Sequence, residues 1–468
     1  MKRHLLFAFA SLLIAAACTP IPPAAAPLTS GVDAGGMDKA IAPGDDFYAY
    51  ANGGWLKATE IPPDKSRYGI FAIMADKTRE RVVALIQEAA KADASASADA
   101  KKVGDFYAGF MDEAGIESKG IAPLKPQFDA IAAITDKRSL ARVIGGTLRA
   151  DVDPLNATNF QTDHLLGVWI SQGLMAPSQS YPYLLQGGLG LPDRDYYVSK
   201  DSHMAEMRKL YQQHIAAVFK LAGFDNPDAR AARVFALETK MAGVHATRVE
   251  SADVKLPVSW KREELAAKAP GLDWPVLLEA AGIQDAPTFI IWHPKAVTGL
   301  STLVAREPLD AWKDWLAFHA VDRVSDFLPK AFVDEQFAFY GKALNETPQL
   351  RERWQRATDY TSGALGEVVG KLYVERYFPA EAKAKIQAMV DDLVKAFGAR
   401  VDSLAWMSPE TKIKAKEKLG TLKVGVGYPD KWQDYSSLDI VKGDALGNLE
   451  RASLFDYKQQ LAKLHQHV

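Results

Sequence analysis

A single cysteine, Cys18, stands among the 468 residues, so no intrachain disulfide framework can form. Charge of one sign is not in excess. The 56 Lys+Arg and 58 Asp+Glu leave a net charge of -2, which argues against a nucleic-acid partner and against a solvated acidic arm. Beyond the N-terminus no run of 18 apolar residues occurs, so no later membrane-spanning helix is expected. Catalytic motifs are also missing. None of the nine His is followed by Glu, and no two lie four apart, so there is no His-Glu-x-x-His pair to hold zinc from one helical face. His203-Met204-Ala205-Glu206 begins the inverted form, but Met207 stands where the second His belongs. His465 and His467 form only a weak pair at a chain end. Gly-x-Ser-x-Gly is absent, and Gly187-Gly188-Leu189-Gly190 is not followed by the Gly-Lys-Ser/Thr of a phosphate loop. Asp45-Asp46 and Asp391-Asp392 read as solvated helix charges, since adjacent helical residues face different directions. No catalytic residue and no metal ligand is assigned from the residues alone.

What is present begins at the N-terminus. Lys2 and Arg3 precede a compact apolar run from Leu5 to Ile14, too short to cross a bilayer and suited to a signal-peptide core. Ala15-Ala16-Ala17 then leads to Cys18, a pattern similar to a bacterial lipobox with Ala15 where Leu is more usual. Ordinary signal cleavage near Ala17 is the alternative. Residues 1–18 are read as a lipoprotein signal ending in the lipidated Cys18. Residues 19–40, rich in Pro and Ala, are read as a stiff tether. The chain is thus expected to be exported and anchored as an outer-membrane lipoprotein, facing the periplasm or the cell surface. Thr19 after the cysteine favours the outer membrane.

Beyond residue 40 helical periodicity dominates. Ile386, Met389, Val390, Leu393, Val394, Phe397, Val401 and Leu404 recur at three- and four-residue steps and predict one apolar helix face. Ser408, Pro409 and Glu410 mark the start of a following helix and Gly420 its end. Similar patterns predict helices over 66–93, 98–114, 202–222, 227–243 and 325–341. Leu165–Leu174 and Tyr181–Leu185 break the rhythm and predict a short inserted β-hairpin.

Four segments together carry a resemblance. The first is Pro43-Gly44-Asp45-Asp46-Phe47-Tyr48-Ala49-Tyr50-Ala51-Asn52-Gly53-Gly54-Trp55-Leu56, with Ile61-Pro62 and Ser66-Arg67-Tyr68-Gly69-Ile70-Phe71. The second is Gly188-Leu189-Gly190-Leu191-Pro192-Asp193-Arg194-Asp195-Tyr196-Tyr197. The third is Val369-Gly370-Lys371-Leu372-Tyr373-Val374-Glu375 with Tyr377-Phe378. The last is Leu404-Ala405-Trp406-Met407-Ser408-Pro409-Glu410-Thr411-Lys412, running on to Gly427-Tyr428-Pro429-Asp430. In order and spacing, over about residues 40–468, they resemble the neprilysin and endothelin-converting-enzyme family of zinc metalloendopeptidases. Trp406, Tyr373 and Tyr428 are expected in the core.

The resemblance implies a mainly α fold: a multi-helical N-terminal lobe with the hairpin inserted. Residues 41–425 form that lobe, and 426–468 begin the connection to a thermolysin-like catalytic part absent from this chain. It implies that Arg67 lines the substrate cleft and grips a peptide C-terminal carboxylate, for which a guanidinium fork is suited. An arginine paired with a local Asp is the structural alternative. Ala75 stands where mammalian members carry a second cleft arginine, and Asn52 and Ala357 occupy two of their disulfide positions. The family's zinc segments belong beyond Val468. The chain is therefore expected to hold no cofactor, whereas the complete family enzyme holds zinc. Its expected partners are peptide substrates, the missing catalytic domain and a membrane, through the lipid. The rival expectation is a non-enzymatic exported lipoprotein that binds peptides or partners with the same lobe.

Overall fold

Helix Leu309–Asp322 is apolar on nearly every side, and in the computed structural model every residue from Ala311 to Asp322 except Lys313 is buried. A helix of that composition belongs at a centre. Helices Lys125–Ala132, Lys137–Thr147, Ser202–Leu221 and Pro227–Val244 pack around it. Of its two buried acids, Asp314 is satisfied by Arg230 and by Arg233 at 2.6 Å, and Asp322 by His214 at 3.0 Å. The structure describes residues 32–63, 65, 67–91, 96–156 and 159–466. Cys18, with the whole proposed signal and most of the proposed tether, lies outside them, as does His467.

The chain divides into two units, Met1–Pro62 and Pro63–Val468. In the smaller one, helix Phe47–Ala58 starts at Asp46, whose carboxylate accepts the Ala49 N–H at 2.8 Å. Lys57 pairs with Asp38 at 2.7 Å.

In the larger unit the expected hairpin is present as β1 (Leu166–Gln172) and β2 (Ser180–Gln186), antiparallel with Val168 opposite Leu184. It belongs to a larger sheet than its own pattern shows. β3 (Val258–Lys261) and β4 (Thr288–Ile291) complete the order β1-β2-β4-β3, with β4 parallel to β2. Residues 187–287, largely helical, form the crossover between them, as a parallel pair requires.

Helices Ser202–Leu221 and Pro227–Val244 match expectation closely. So does Pro409–Gly420, where Ser408 Oγ accepts the Thr411 N–H at 3.2 Å. Elsewhere local chemistry cuts the pattern. The 98–114 helix stops at Met111 because Asp112 caps the next one, accepting from Gly115 N–H at 3.0 Å. The 325–341 segment is not one helix. Pro329 separates a short 3-10 turn (Ser325–Phe327) from helix Lys330–Gln336, and a π-helix follows over Phe337–Leu344.

The largest departure concerns burial. Ala380–Ser403 is a helix as its period predicts, but of its residues only Val401 is buried. Met389, Leu393 and Phe397 are exposed, and so is Trp406, at 76%. Trp406 is therefore not a core residue. Tyr373 and Tyr428 are only half-buried, Tyr428 stacking on Trp432 at 5.9 Å.

Candidate functional site

The lobe buries several polar groups. Glu238, on helix Pro227–Val244, is fully buried. It accepts from Tyr197 Oη at 2.6 Å, Tyr211 Oη at 3.0 Å and His319 Nε2 at 2.8 Å. Burial lowers the His319 pKa, but the Glu238 partner outweighs it and the net shift is upward. The Gly190 N–H also points at Glu238, at 3.4 Å. This network holds the Gly188–Tyr197 segment in place. Gly188 has φ +91, and a Cβ on Gly190 would meet Tyr211 Oη at 1.9 Å, which explains the glycines of that motif. A second set joins it. His214 bridges Asp322 at 3.0 Å and Glu335 at 3.1 Å, and Tyr340 donates to Asp322 at 2.8 Å. These groups are satisfied internally and scaffold the lobe.

Among the described residues, one group, Asp151, Asp163 and His164, brings three possible metal-ligand atoms within 4.8 Å of one another. The donor set does not fit a cation. Arg323 already holds the place, with Nη1 3.0 Å from His164 Nδ1 and 3.5 Å from Asp163. Burial, aided by Arg323, pulls His164 down to about 3. Asp151 keeps about a third of its side chain (32%) in contact with solvent, yet the groups packed around the rest of it push its carboxyl up to about 7.

Ser251 and His293 form the arrangement nearest to a nucleophilic pair, with Nε2 3.0 Å from Oγ. The tautomer rules out activation. Nδ1 of His293 accepts the Gln186 N–H at 3.2 Å, so Nε2 carries the proton and donates to Ser251. A general base would need that lone pair free.

The surface holds a different kind of site. Arg67 lies in the loop leading into helix Ile70–Ala90 and is exposed. It carries no hydrogen bond or ion pair with any described residue. The local-aspartate alternative therefore does not hold among those residues. Its neighbours are committed instead: Asp76 binds Lys65 at 3.2 Å and Arg79 at 3.0 Å, and Arg79 reaches Asp359 at 3.5 Å. Beside Arg67 on the first turns of the helix stand Ile70, Phe71 and Met74, exposed at 64%, 86% and 57%. An unpaired guanidinium next to an apolar strip can take a carboxylate and an apolar side chain together. Ala75 is exposed and adds no second charge there. His203 and His465 are exposed and far apart in sequence, and neither belongs to the three-ligand group found among the described residues.

The sequence motif pointed to Arg67, and the structure places it exposed on the surface. Sequence reading missed Glu238, Arg323 and the exposed Ile70–Met74 strip. The motif included Ile70 and Phe71, but nothing in the pattern distinguishes an exposed apolar residue from a buried one.

Comparison with known proteins agrees with this architecture. A family model described as peptidase family M13 matches residues 43–429. Endothelin-converting enzyme 1 of Rattus norvegicus is 25% identical over 416 residues, 87% of this chain and 54% of that protein. Neprilysin-3 of Drosophila melanogaster is 26% identical over 465 residues, 92% of this chain and 57% of that protein. The crystal structure of the Mycobacterium tuberculosis zinc metalloprotease Zmp1 with an inhibitor is similar at a TM-score of 0.84. It is 33% identical, covering 94% of this chain and 65% of that one. The chain thus spans about half the length of the curated relatives it matches.

Proposed function

The chain belongs to peptidase family M13, and from that premise we propose that it is the substrate-enclosing lobe of an exported bacterial zinc metalloendopeptidase. In this reading Arg67 holds the C-terminal carboxylate of a peptide while Ile70, Phe71 and Met74 take an apolar side chain. The single observation that supports it most is Arg67 itself: exposed, unpaired among the described residues and bordered by uncovered apolar groups. The zinc and the general base come from the part of the relatives' length that this sequence does not span. Zinc supplies an activated water and a polarised carbonyl; this chain supplies position and access. The uncovered faces of Ala380–Ser403 and Pro409–Gly420 are where that remaining part packs. Lipidation of Cys18 anchors the protein to the outer membrane.

Peptide binding tests the reading. A fluorescent decapeptide with a free C-terminus should bind the chain, its C-terminal amide about tenfold more weakly, which is ~1.4 kcal/mol. Arg67→Gln should remove the difference between the two. Equal affinity for acid and amide in the unaltered chain would refute the role of Arg67.

A further inference from the structure

A cavity of about 440 Å³ opens beside the Gly188–Tyr197 segment. That volume lies within the roughly 300–1,000 Å³ range of small-molecule sites. Its walls come from three parts of the larger unit: Phe160–Thr162, Gln186–Tyr196 and His245–Ser251, with Asn345 at the side. It includes none of the residues of the Arg67 strip.

Its charge is unbalanced. Two guanidinium groups, Arg194 and Arg248, line it against one carboxylate, Asp193. Arg194 is half-buried. Its Nε donates to the Ala242 carbonyl at 3.4 Å, and neither Nη has an acceptor among the described residues. Arg248 meets Asp193 only at 3.7 Å, with 82% of its side chain exposed. Glu250, the next acid, is not part of the lining. It acts on Arg194 only through space, with no hydrogen bond or ion pair between them among the described residues, and its oxygens accept from Thr247 N–H at 2.8 Å and Thr247 Oγ1 at 2.9 Å. His245 adds no charge, because burial pulls it down to about 3 and its Nε2 faces the Gly187 carbonyl at 3.1 Å.

A half-buried guanidinium with unspent donors, facing a cavity, is most stable with a carboxylate against it. The rest of the wall is mixed. Leu189, Pro192, Phe160 and Tyr196 offer apolar surface, and the amides of Gln161 and Asn345 offer hydrogen bonds. We propose that this cavity binds a small carboxylate-bearing molecule of amino-acid or dipeptide size. Arg194 holds the carboxylate, Asp193 is placed for an ammonium group, and the apolar wall takes the side chain. The proposal does not depend on the function assigned to Arg67.

Calorimetric titration of the full chain with the dipeptide Ala-Phe, its C-terminal amide, N-acetyl-Ala-Phe and inorganic phosphate tests it. Ala-Phe should bind, and the amide should bind at least about tenfold more weakly. Arg194→Gln should reduce Ala-Phe binding by a similar factor. Should Arg194→Gln unfold the protein, as shown by circular dichroism, Arg248→Gln replaces it and should weaken Ala-Phe measurably with the fold intact. Because the Arg67 strip can also hold a peptide carboxylate, the same titrations are run in the Arg67→Gln background, where Ala-Phe binding, its preference over the amide and its loss in Arg194→Gln should all persist; their disappearance there would overturn the proposal. Weaker binding of N-acetyl-Ala-Phe supports the role of Asp193. No binding of Ala-Phe at millimolar concentration, equal binding of acid and amide, or phosphate binding as tightly as Ala-Phe would each overturn the proposal.

Discussion

His319 Nε2 donates to Glu238 across 2.8 Å with neither side chain reaching solvent. The pair ties the central helix to Pro227–Val244 and, through Tyr197 and Gly190, to the motif segment beside the cavity. Glu238→Ala leaves a buried imidazole and two phenol groups without their acceptor. The expected loss is about 3–5 kcal/mol, as for other broken buried pairs. Glu238→Gln, which keeps an acceptor, should cost less. Chemical denaturation of the two variants measures the difference, and equal losses would show that a neutral acceptor recovers nothing and that the carboxylate charge holds the network.

His214 gives the stability a slope on the alkaline side. Burial lowers its pKa, yet the hydrogen bonds to Asp322 and Glu335 raise it overall to about 9. A histidine whose folded pKa lies above its free value of roughly 6.5 stabilises fully below that value. The contribution falls away as pH climbs through about 9, by on the order of 3 kcal/mol. Denaturation midpoints measured from pH 6.5 to 9 should therefore decline, and His214→Gln should flatten the decline.

The acid side is governed by histidines buried in neutral form. Burial holds His245 and His164 at about 3 and His293 at about 4. Each must gain a proton on unfolding once the pH drops below roughly 6.5, so each costs stability progressively from there downward. The midpoint should fall steeply between pH 6.5 and 4, and less steeply in His245→Gln. A pH-independent midpoint in that window would contradict the neutral assignment.

The uncovered face of Ala380–Ser403 should show itself in solution. Met389, Leu393 and Phe397 are exposed on one helix, with Trp406 close after it in the chain. Apolar patches of this kind recruit partners or drive association. The chain alone should take up a hydrophobic dye and self-associate. Leu393→Glu with Phe397→Glu should suppress both while changing stability by less than about 0.5 kcal/mol. A dye-silent monomer would instead favour the reading of a self-sufficient binding protein.

The proposed anchoring rests on Cys18. Cys18→Ser should abolish incorporation of a fatty-acid probe and release the protein from membranes. Labelling that persists in the variant would leave ordinary signal cleavage as the explanation.

Much of the architecture was legible because it is local. A cap such as Ser408, a period such as that of residues 202–221 and a β-rich run such as Val168–Ile170 act within a few residues, and the chain obeys them. The family was legible for the same reason, since its motifs are short and ordered. What lay beyond local reading was partnership. Periodicity shows that Leu393 and Phe397 share a helix face, but whether that face is covered depends on segments elsewhere. β4 was not singled out in the sequence, and only its position beside β2, about a hundred residues earlier, makes it a central parallel strand. Glu238 looks like one helix carboxylate among many until Tyr197, Tyr211 and His319 converge on it. Arg67 and Arg194 are both motif arginines in sequence. Tertiary structure alone leaves the first on an exposed apolar strip and turns the second into a cavity, because burial and hydrogen-bond satisfaction are decided by residues that meet only when the chain is folded.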